Sequence, residues 1–375
     1  MPAKRIILMY ISEVSGHRSA ASAIENAIRS IRPETEILSI NAFNYTNPIS
    51  EKIINSLYMT VIKNTPQVWD YLYDNPKVIK NLETIKKAIH KVNSAKLKSL
   101  FDKFRPDVVA CSQAFPCGMV ADFKKIYKSE LPLVAVLTDY VPHSYWIYDN
   151  IDFYIAPSDE VGEKLREKGV PAYKIKPFGI PFDMKFNFPV DKKKVYSDLG
   201  LDTAKPVILI MGGGHGLGPI KSIITSLEKS KHKIQGIIIT GNNEKLYNSL
   251  RKNMPKFRQK FSILPYVSNV NELMEVSDII ITKPGGITTA EALAKRLPMI
   301  IINPIPGQEA SNAAYLTKAG AALRTNDLKN INVLLDELLD NPEKLAAMKE
   351  ASGNISKPNA SIDAAKLILG IETNV

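Results

Sequence analysis

Three loops in the second half of the chain carry residue types suited to a phosphorylated ligand. The first, MGGGHGLGP at 211–219, follows the apolar run VILI and precedes a helical pattern. With Gly213 and Gly214 at its centre, its backbone can approach a phosphate without side-chain clash, although a tight turn uses the same residues. The second, KPGGITTAEAL at 283–293, is richer. Gly285 and Gly286 leave a strand, and Thr288 or Thr289 is placed to cap a helix whose free amides and positive dipole end suit a pyrophosphate. Glu291, read as a first-turn residue, is placed to accept hydrogen bonds from the two hydroxyls of a ribose. Counted from a Thr288 cap, it would equally complete a capping box. The third loop, NPIPGQEASNAAYL at 303–316, opens a helix with Gln308 and Glu309, and Asn312 lies four residues beyond Gln308 on the same face. Amides and a carboxylate gathered there can read sugar hydroxyls or simply serve the helix start.

The elements that must position these loops are strands alternating with helices. KRIILMYI (4–11), EILSI (36–40), DVVACS (107–112), LVAVLTDY (133–140) and DFYIAPS (152–158) read as strands of a first doubly wound domain. Between the first two, Ala20, Ala21, Ile24, Ala27, Ile28 and Ile31 recur at helical spacing and make one buried stripe. FGIPFDMKFNFPVD (178–191), broken by Pro181 and Pro189, reads as a linker. The pattern then restarts with KPVILIMGGG (205–214), KIQGIIITG (233–241), FSILPYV (261–267), DIIITKPGG (278–286) and PMIIINPIPG (298–307). The expectation is an α/β protein of two parallel-sheet domains, residues 1–180 and 181–357, with a last amphipathic helix within 358–375 returning to the first. At 375 residues the chain exceeds the size at which a single core stops growing.

Composition narrows the class. With 45% hydrophobic and 23% charged residues the chain can bury substantial cores and does not read as disordered. No run reaches the roughly 18 apolar residues that a spanning helix needs. The N-terminal apolar run is too short for a signal peptide, so a cytoplasmic protein is expected. Cys111 and Cys117, with no second pair and no nearby His, read as reduced, partly buried thiols and not as a metal site. His90 and His232 read as solvated.

The formal net charge of +11 asks for an anionic partner. Residues 76–105 hold nine Lys or Arg, Lys86 and Lys87 among them, against only Glu83 and Asp102. Just before them, SEKIINSLYMTVIKNTPQVWDYLY (50–73) carries a stripe that includes Leu57, and then Trp69 beyond Pro66. Apolar and aromatic side chains beside a Lys-rich stretch are what an interfacial membrane element requires, while burial in the protein's own core is the alternative. No helix-turn-helix, zinc-finger or RNA-binding motif accompanies the charge, so no nucleic-acid partner is expected.

At this point a family becomes recognisable. KPGGITTAEALAKRLPMIIINPIPGQEASNAAYL closely resembles the donor-site block of the monogalactosyldiacylglycerol synthase and processive diacylglycerol glucosyltransferase family. SGHRSAASAIENAI resembles its acceptor-side Gly-His block, and TDYVPHSYW (138–146) its Thr-Asp block. The resemblance implies a GT-B fold, two Rossmann-like domains facing a cleft, with a UDP-hexose as donor and inversion at the anomeric carbon. It also implies diacylglycerol as acceptor, no cofactor or essential bound metal, and action as a peripheral protein on the anionic inner face of the cell membrane. Residue by residue, it implies Glu291 on the ribose and Gly286, Ile287 and Thr288 on the diphosphate. Gln308 and Glu309 would hold the hexose, and Val267 would give backbone contacts to uracil. His17 resembles the base, and Asp139 and His143 its acceptor-side neighbours. The chemistry agrees, because an inverting transfer needs a base for the acceptor hydroxyl and electrostatic stabilisation of the leaving group. His17, on the loop leaving the first strand, has a pKa suited to the former, and a helix dipole can supply the latter. A polyprenyl-linked GlcNAc transferase and a UDP-sugar epimerase on the same fold are the competing readings, with a nucleic-acid binding protein a distant third. The loop after the first strand reads EVSGH (13–17) where many relatives are more Gly-rich, and His215 has no assigned role.

Overall fold

The structure is a computed structural model describing residues 3–46 and 96–372. The 50–73 stripe with Leu57 and Trp69, together with Lys86, Lys87 and His90, lies outside the described residues. The chain divides into two compact units. The first comprises Met1–Met184, Ile305–Gln308 and Lys357–Val375, and the second Lys185–Pro304 and Glu309–Ser356. The division thus comes a few residues past the expected point at 180/181, and Gln308 groups with the first unit, not with the expected donor domain.

The first unit holds β1 (Arg5–Tyr10), β2 (Glu36–Asn41), β3 (Val108–Cys111), β4 (Leu133–Val136), β5 (Phe153–Ile155) and β6 (Ile175–Lys176), in the order β2-β1-β3-β4-β5-β6. Every pairing is parallel. Parallel strands are covered on both faces, which is why β3 and β4 are buried along their whole length and read as unbroken apolar runs. The Gly16–Ile31 helix buries Ala20, Ala21, Ala23, Ile24, Ala27 and Ile28. Ile31, expected in that stripe, is its last residue and is 42% exposed. Ala364, Ala365 and Ile368 of the terminal Ala360–Gly370 helix share a core with Ile24, Ala27 and Ile28. The small alanines let the two helices approach closely. Lys4 Nζ donates to the Leu369 carbonyl at 2.9 Å, and Ser361 Oγ to that of Phe182 at 2.6 Å. Cys111 and Cys117, expected to be partly buried, are both fully buried free thiols. Burial pushes the Cys111 thiol well above its ordinary range, which makes it a poor nucleophile.

The second unit holds β7 (Val207–Met211), β8 (Gln235–Ile239), β9 (Lys260–Leu264), β10 (Ile279–Thr282), β11 (Met299–Ile302) and β12 (Ala322–Thr325), in the order β12-β11-β10-β7-β8-β9. Its pairings are also all parallel. Ile223, Ile224 and Leu227 of the Ile220–Leu227 helix share one core with Ile331, Leu335 and Leu338 of the Ile331–Asp340 helix and with the alternating Ile208 and Ile210 of β7.

Strand order fixes where ligands can go. In the first sheet the chain steps outward from β1 to β2, then returns to place β3 on the other side of β1. In the second it runs β7-β8-β9 and returns to place β10 beside β7. At each reversal the loops after the two neighbouring strands turn to opposite faces and leave a crevice beyond their carboxyl ends. Those loops are 11–15 and 112–113 in the first unit, and 212–219 and 283–285 in the second.

Candidate active site

In the first unit the crevice belongs to His17. Ser15 caps the helix from an extended backbone, its Oγ accepting from the Arg18 amide at 3.3 Å. His17 is therefore the second residue of the helix and not part of the preceding loop, as the sequence suggested. Its Nδ1 lies 2.9 Å from the carbonyl oxygen of Ser112, the first residue past β3, and 3.1 Å from Thr138 Oγ1, just past β4. A carbonyl oxygen only accepts, so Nδ1 carries the proton and Nε2 keeps its lone pair. Ser112 Oγ in turn donates to the His17 carbonyl at 2.8 Å.

His17 is half-buried, and the protein packed around its ring is the largest influence on its charge. Burial pulls the imidazole pKa below the ordinary value, opposed by the Asp139 carboxylate and by the bond to the Ser112 carbonyl. The ring is thus held neutral near pH 7, with one nitrogen available to take a proton. His143, in the same segment, is buried with its ring 5.8 Å from that of Tyr145 and 6.0 Å from that of Trp146.

In the second unit the loop after β7 is glycine-rich for reasons the backbone shows. After β7, the Leu217 amide donates to the Gly212 carbonyl at 3.0 Å and the Gly216 amide to that of Gly213 at 2.9 Å. The Asn242 amide reaches the Gly214 carbonyl at 2.9 Å. Gly213 has φ +73° and Gly216 φ +58°, and a Cβ on Gly216 would fall 1.9 Å from the Thr240 carbonyl oxygen. A side chain at Gly216 would collide with that backbone, whereas at Gly213 the left-handed φ alone favours glycine. His215 is exposed on it.

After β10, Thr282 Oγ1 donates to the Met211 carbonyl at 2.9 Å and joins the ends of the two switch-point strands. Gly285, with extended φ −67° and ψ 137°, is the N-cap of the Gly286–Ala294 helix and offers no side-chain cap. The expected threonine cap is therefore not what starts this helix. Thr288 and Thr289 are its third and fourth residues, and Thr289 Oγ1 donates back to the Gly286 carbonyl at 2.9 Å. An uncapped start leaves the amides of Gly286, Ile287 and Thr288 without intrahelical partners at the positive end of the dipole. Glu291 is the sixth helical residue, in the second turn and not the first, which excludes the capping box. It stands three and four residues beyond Thr288 and Ile287, on their face and one turn of about 5.4 Å along.

The third loop is fastened to the second. After β11, Asn303 (φ +39°) and Gly307 (φ +89°) turn the chain into the Gln308–Lys318 helix. Asn312 is fully buried there, and its Nδ2 donates to the Pro284 carbonyl at 2.9 Å. That bond braces the KPGG loop. Gln308 and Glu309, the first two residues of the helix, are part-exposed. Val267 leaves β9, the edge strand, and not either switch-point strand. The residues that sequence reasoning passed over are Ser112, Thr138 in its role at His17, and Pro284. Among the described residues no group of three or more His, Cys, Asp or Glu is gathered as a metal site would need.

Solved structures share this architecture. Acinetobacter baumannii MurG matches with TM-score 0.61 at 14% identity, covering 98% of this chain and 100% of that one. A UDP-GlcNAc 2-epimerase from Neisseria meningitidis, solved with UDP-GlcNAc, matches with TM-score 0.62 at 16% identity over 97% and 98%. Two parallel six-stranded sheets of this order, each with its candidate loops at the switch point, place the protein in the GT-B fold class.

Family models are more specific. Residues 17–182 match that of monogalactosyldiacylglycerol (MGDG) synthase, and residues 207–368 that of the glycosyltransferase family 28 C-terminal domain. Processive diacylglycerol beta-glucosyltransferase of Bacillus licheniformis is 31% identical over 359 residues, 96% of this chain and 92% of the relative. The chain belongs to the monogalactosyldiacylglycerol synthase and processive diacylglycerol glucosyltransferase family.

Proposed function

We propose that the protein transfers a hexose from a UDP-sugar to diacylglycerol with inversion at the anomeric carbon, working as a peripheral protein on an anionic membrane surface. Glucose is the first choice of hexose, because the relative matched over nearly the whole chain is named a glucosyltransferase. That full-length likeness is the observation that carries the reading. The geometry supports it twice: in the proton-accepting nitrogen of His17 in the first unit, and in the uncapped helix start at Gly286 in the second. In this reading Nε2 takes the proton of the acceptor hydroxyl as its oxygen bonds to the anomeric carbon, with Asp139 steadying the imidazolium. The bond to UDP breaks, and the departing diphosphate settles on the amides of Gly286, Ile287 and Thr288, with backbone from Gly213 and Gly214 nearby. The dipole does this work, so the reaction as proposed requires no bound metal. Glu291 holds the ribose, Val267 offers backbone to the uracil, Gln308 and Glu309 hold hexose hydroxyls, and His143 belongs to the acceptor side.

The test is a panel of radiolabelled UDP-glucose, UDP-galactose and UDP-GlcNAc with diacylglycerol vesicles, followed by separation of the lipids. Label moving from UDP-glucose into diacylglycerol is expected; label released as free sugar, or none transferred, overturns the reading. Within it, Gln308→Ala is expected to weaken UDP-hexose binding and leave free UDP nearly untouched, because its amide is assigned to the sugar. Calorimetry with both ligands decides, and equal losses count against the assignment.

Among the described residues no helix is long and apolar enough to cross a membrane. Membrane attachment is assigned to the 50–73 stripe acting with the basic 76–105 stretch, on their apolar, aromatic and Lys-rich sequence. Leu57→Ser with Trp69→Ser is expected to lower vesicle binding at any salt. Lys86→Glu with Lys87→Glu should lower it mainly at low salt, since each Lys near an anionic surface contributes at most about 1 kcal/mol and is screened. Cosedimentation at two ionic strengths reads both, and indifference to lipid charge or to both pairs would return these segments to ordinary core and surface.

A further inference from the structure

We propose that Ser112 and Thr138 are positioning residues that fix the tautomer and orientation of His17, holding its proton on Nδ1 so that Nε2 is the nitrogen presented to the acceptor. The inference rests on the reading of His17 as the base and goes beyond it by naming what makes the base competent.

The three residues come from three separate places on one sheet edge. His17 follows β1, Ser112 follows β3 and Thr138 follows β4, and these strands are consecutive neighbours in the sheet. The Ser112 backbone is held by the sheet itself, because its amide continues the ladder to the Met9 carbonyl at 3.0 Å. Its carbonyl is thereby aimed at Nδ1, 2.9 Å away. Thr138, also buried, brings Oγ1 to 3.1 Å from the same nitrogen. With Nδ1–H directed at the carbonyl, the hydroxyl oxygen serves as a second, weaker acceptor in a three-centre bond. A hydroxyl donating to a bare Nδ1 would instead leave two lone pairs, those of Nδ1 and the Ser112 carbonyl, facing each other at 2.9 Å. Ser112 Oγ closes the bracket from the other side, donating to the His17 carbonyl at 2.8 Å. The ring is therefore gripped at Nδ1 and the backbone at C=O, while among the described residues Nε2 has no hydrogen-bond partner. For a histidine the nitrogen that reacts is set by the bond the other one makes.

Among the described residues Asp139, the residue after Thr138, is the carboxylate acting on this ring. On its own element Arg18 is paired with Glu13 at 2.9 Å. Thr138 contributes no charge, so replacing it changes hydrogen bonding and not the field.

Nitrogen-15 NMR of the full-length protein labelled only at histidine reads the tautomer directly, with His17→Ala identifying the His17 resonances. In the wild type the Nδ1-protonated form is expected, with Nε2 resonating as the unprotonated nitrogen. Thr138→Val keeps the shape and removes the acceptor. It should broaden or shift the Nδ1 signal, lower kcat by up to about 10²-fold and leave the KM for donor unchanged. Thr138→Ser restores a hydroxyl and should recover most of both. Wild-type His17 found in the Nε2-protonated form, or a Thr138→Val variant with unchanged spectrum and kcat, overturns the inference. The wild-type spectrum needs no variant to fold. Failure of the underlying reading would look different: His17→Ala would keep full transferase activity while the wild-type tautomer remained as described.

Discussion

His17→Ala is expected to lower transfer to the lipid acceptor by about 10²–10⁴-fold while UDP affinity stays at the wild-type value. The magnitude is that of a lost general base. The selectivity follows from place, because His17 lies in the first unit whereas the amides proposed to hold the diphosphate lie in the second. The wild-type pH profile should carry the same signature. Packing around the ring disfavours its cation, and although Asp139 and the Ser112 carbonyl pull the other way, the net direction is downward. A lowered pKa means that the neutral, proton-accepting form survives to lower pH. The acid limb of kcat/KM should therefore fall below the ordinary imidazole value of about 6.5, with activity flat above it. Steady-state rates of wild type and variant from pH 5 to 8, with calorimetry of UDP to show that the fold persists, decide the matter. An Ala variant with undiminished rate removes His17 from the chemistry, and an acid limb well above 6.5 assigns it to another group.

The second site was more legible in the sequence than the first, for a physical reason. A phosphate-binding loop is a local object: strand, glycines and helix follow one another, so KPGGITTAEAL announces itself within eleven residues. The apolar runs of the parallel strands were equally plain, because burial on both faces leaves no alternation to interpret. Short or weakly apolar strands escaped. β6 has two residues, and ALRT of β12 is half polar. The start of the Gly286–Ala294 helix was misplaced because a glycine cap has no side chain to signal it, and the two threonines nearby are the residues that usually do. Of the surroundings of His17, the family resemblance supplied Asp139, but the groups that hold the ring could not be read. Ser112 and Thr138 are 95 and 121 residues away in the chain, and only the order β1-β3-β4 brings them to one edge. The brace that Asn312 makes was hidden for the same reason, since its Nδ2 donates to Pro284 across 28 residues, which spacing within one helix cannot show.

Glu291→Ala is expected to weaken UDP and UDP-hexose alike, by about 1.5–3 kcal/mol for the loss of a charged hydrogen-bond acceptor. That is roughly 10- to 150-fold in Kd. The structure moves Glu291 from the first turn of its helix to the second, and the new position suits its proposed role better. A diphosphate seated on the amides of Gly286, Ile287 and Thr288 has its ribose a few ångströms farther on. A carboxylate on the same face, about 5.4 Å along the axis, can meet the two ribose hydroxyls without crowding the phosphates. Placed in the first turn, the same charge would have competed with the diphosphate for the dipole end. Glu291→Gln keeps one acceptor oxygen and loses the charge, so its effect should fall between wild type and Ala. The ribose is common to both ligands, so the two Kd values should rise in parallel, whereas Gln308→Ala separates them. Calorimetric titration of UDP into the three proteins is the measurement. Unchanged UDP affinity in the Ala variant would take the ribose off Glu291, and a loss confined to UDP-hexose would move Glu291 to the sugar.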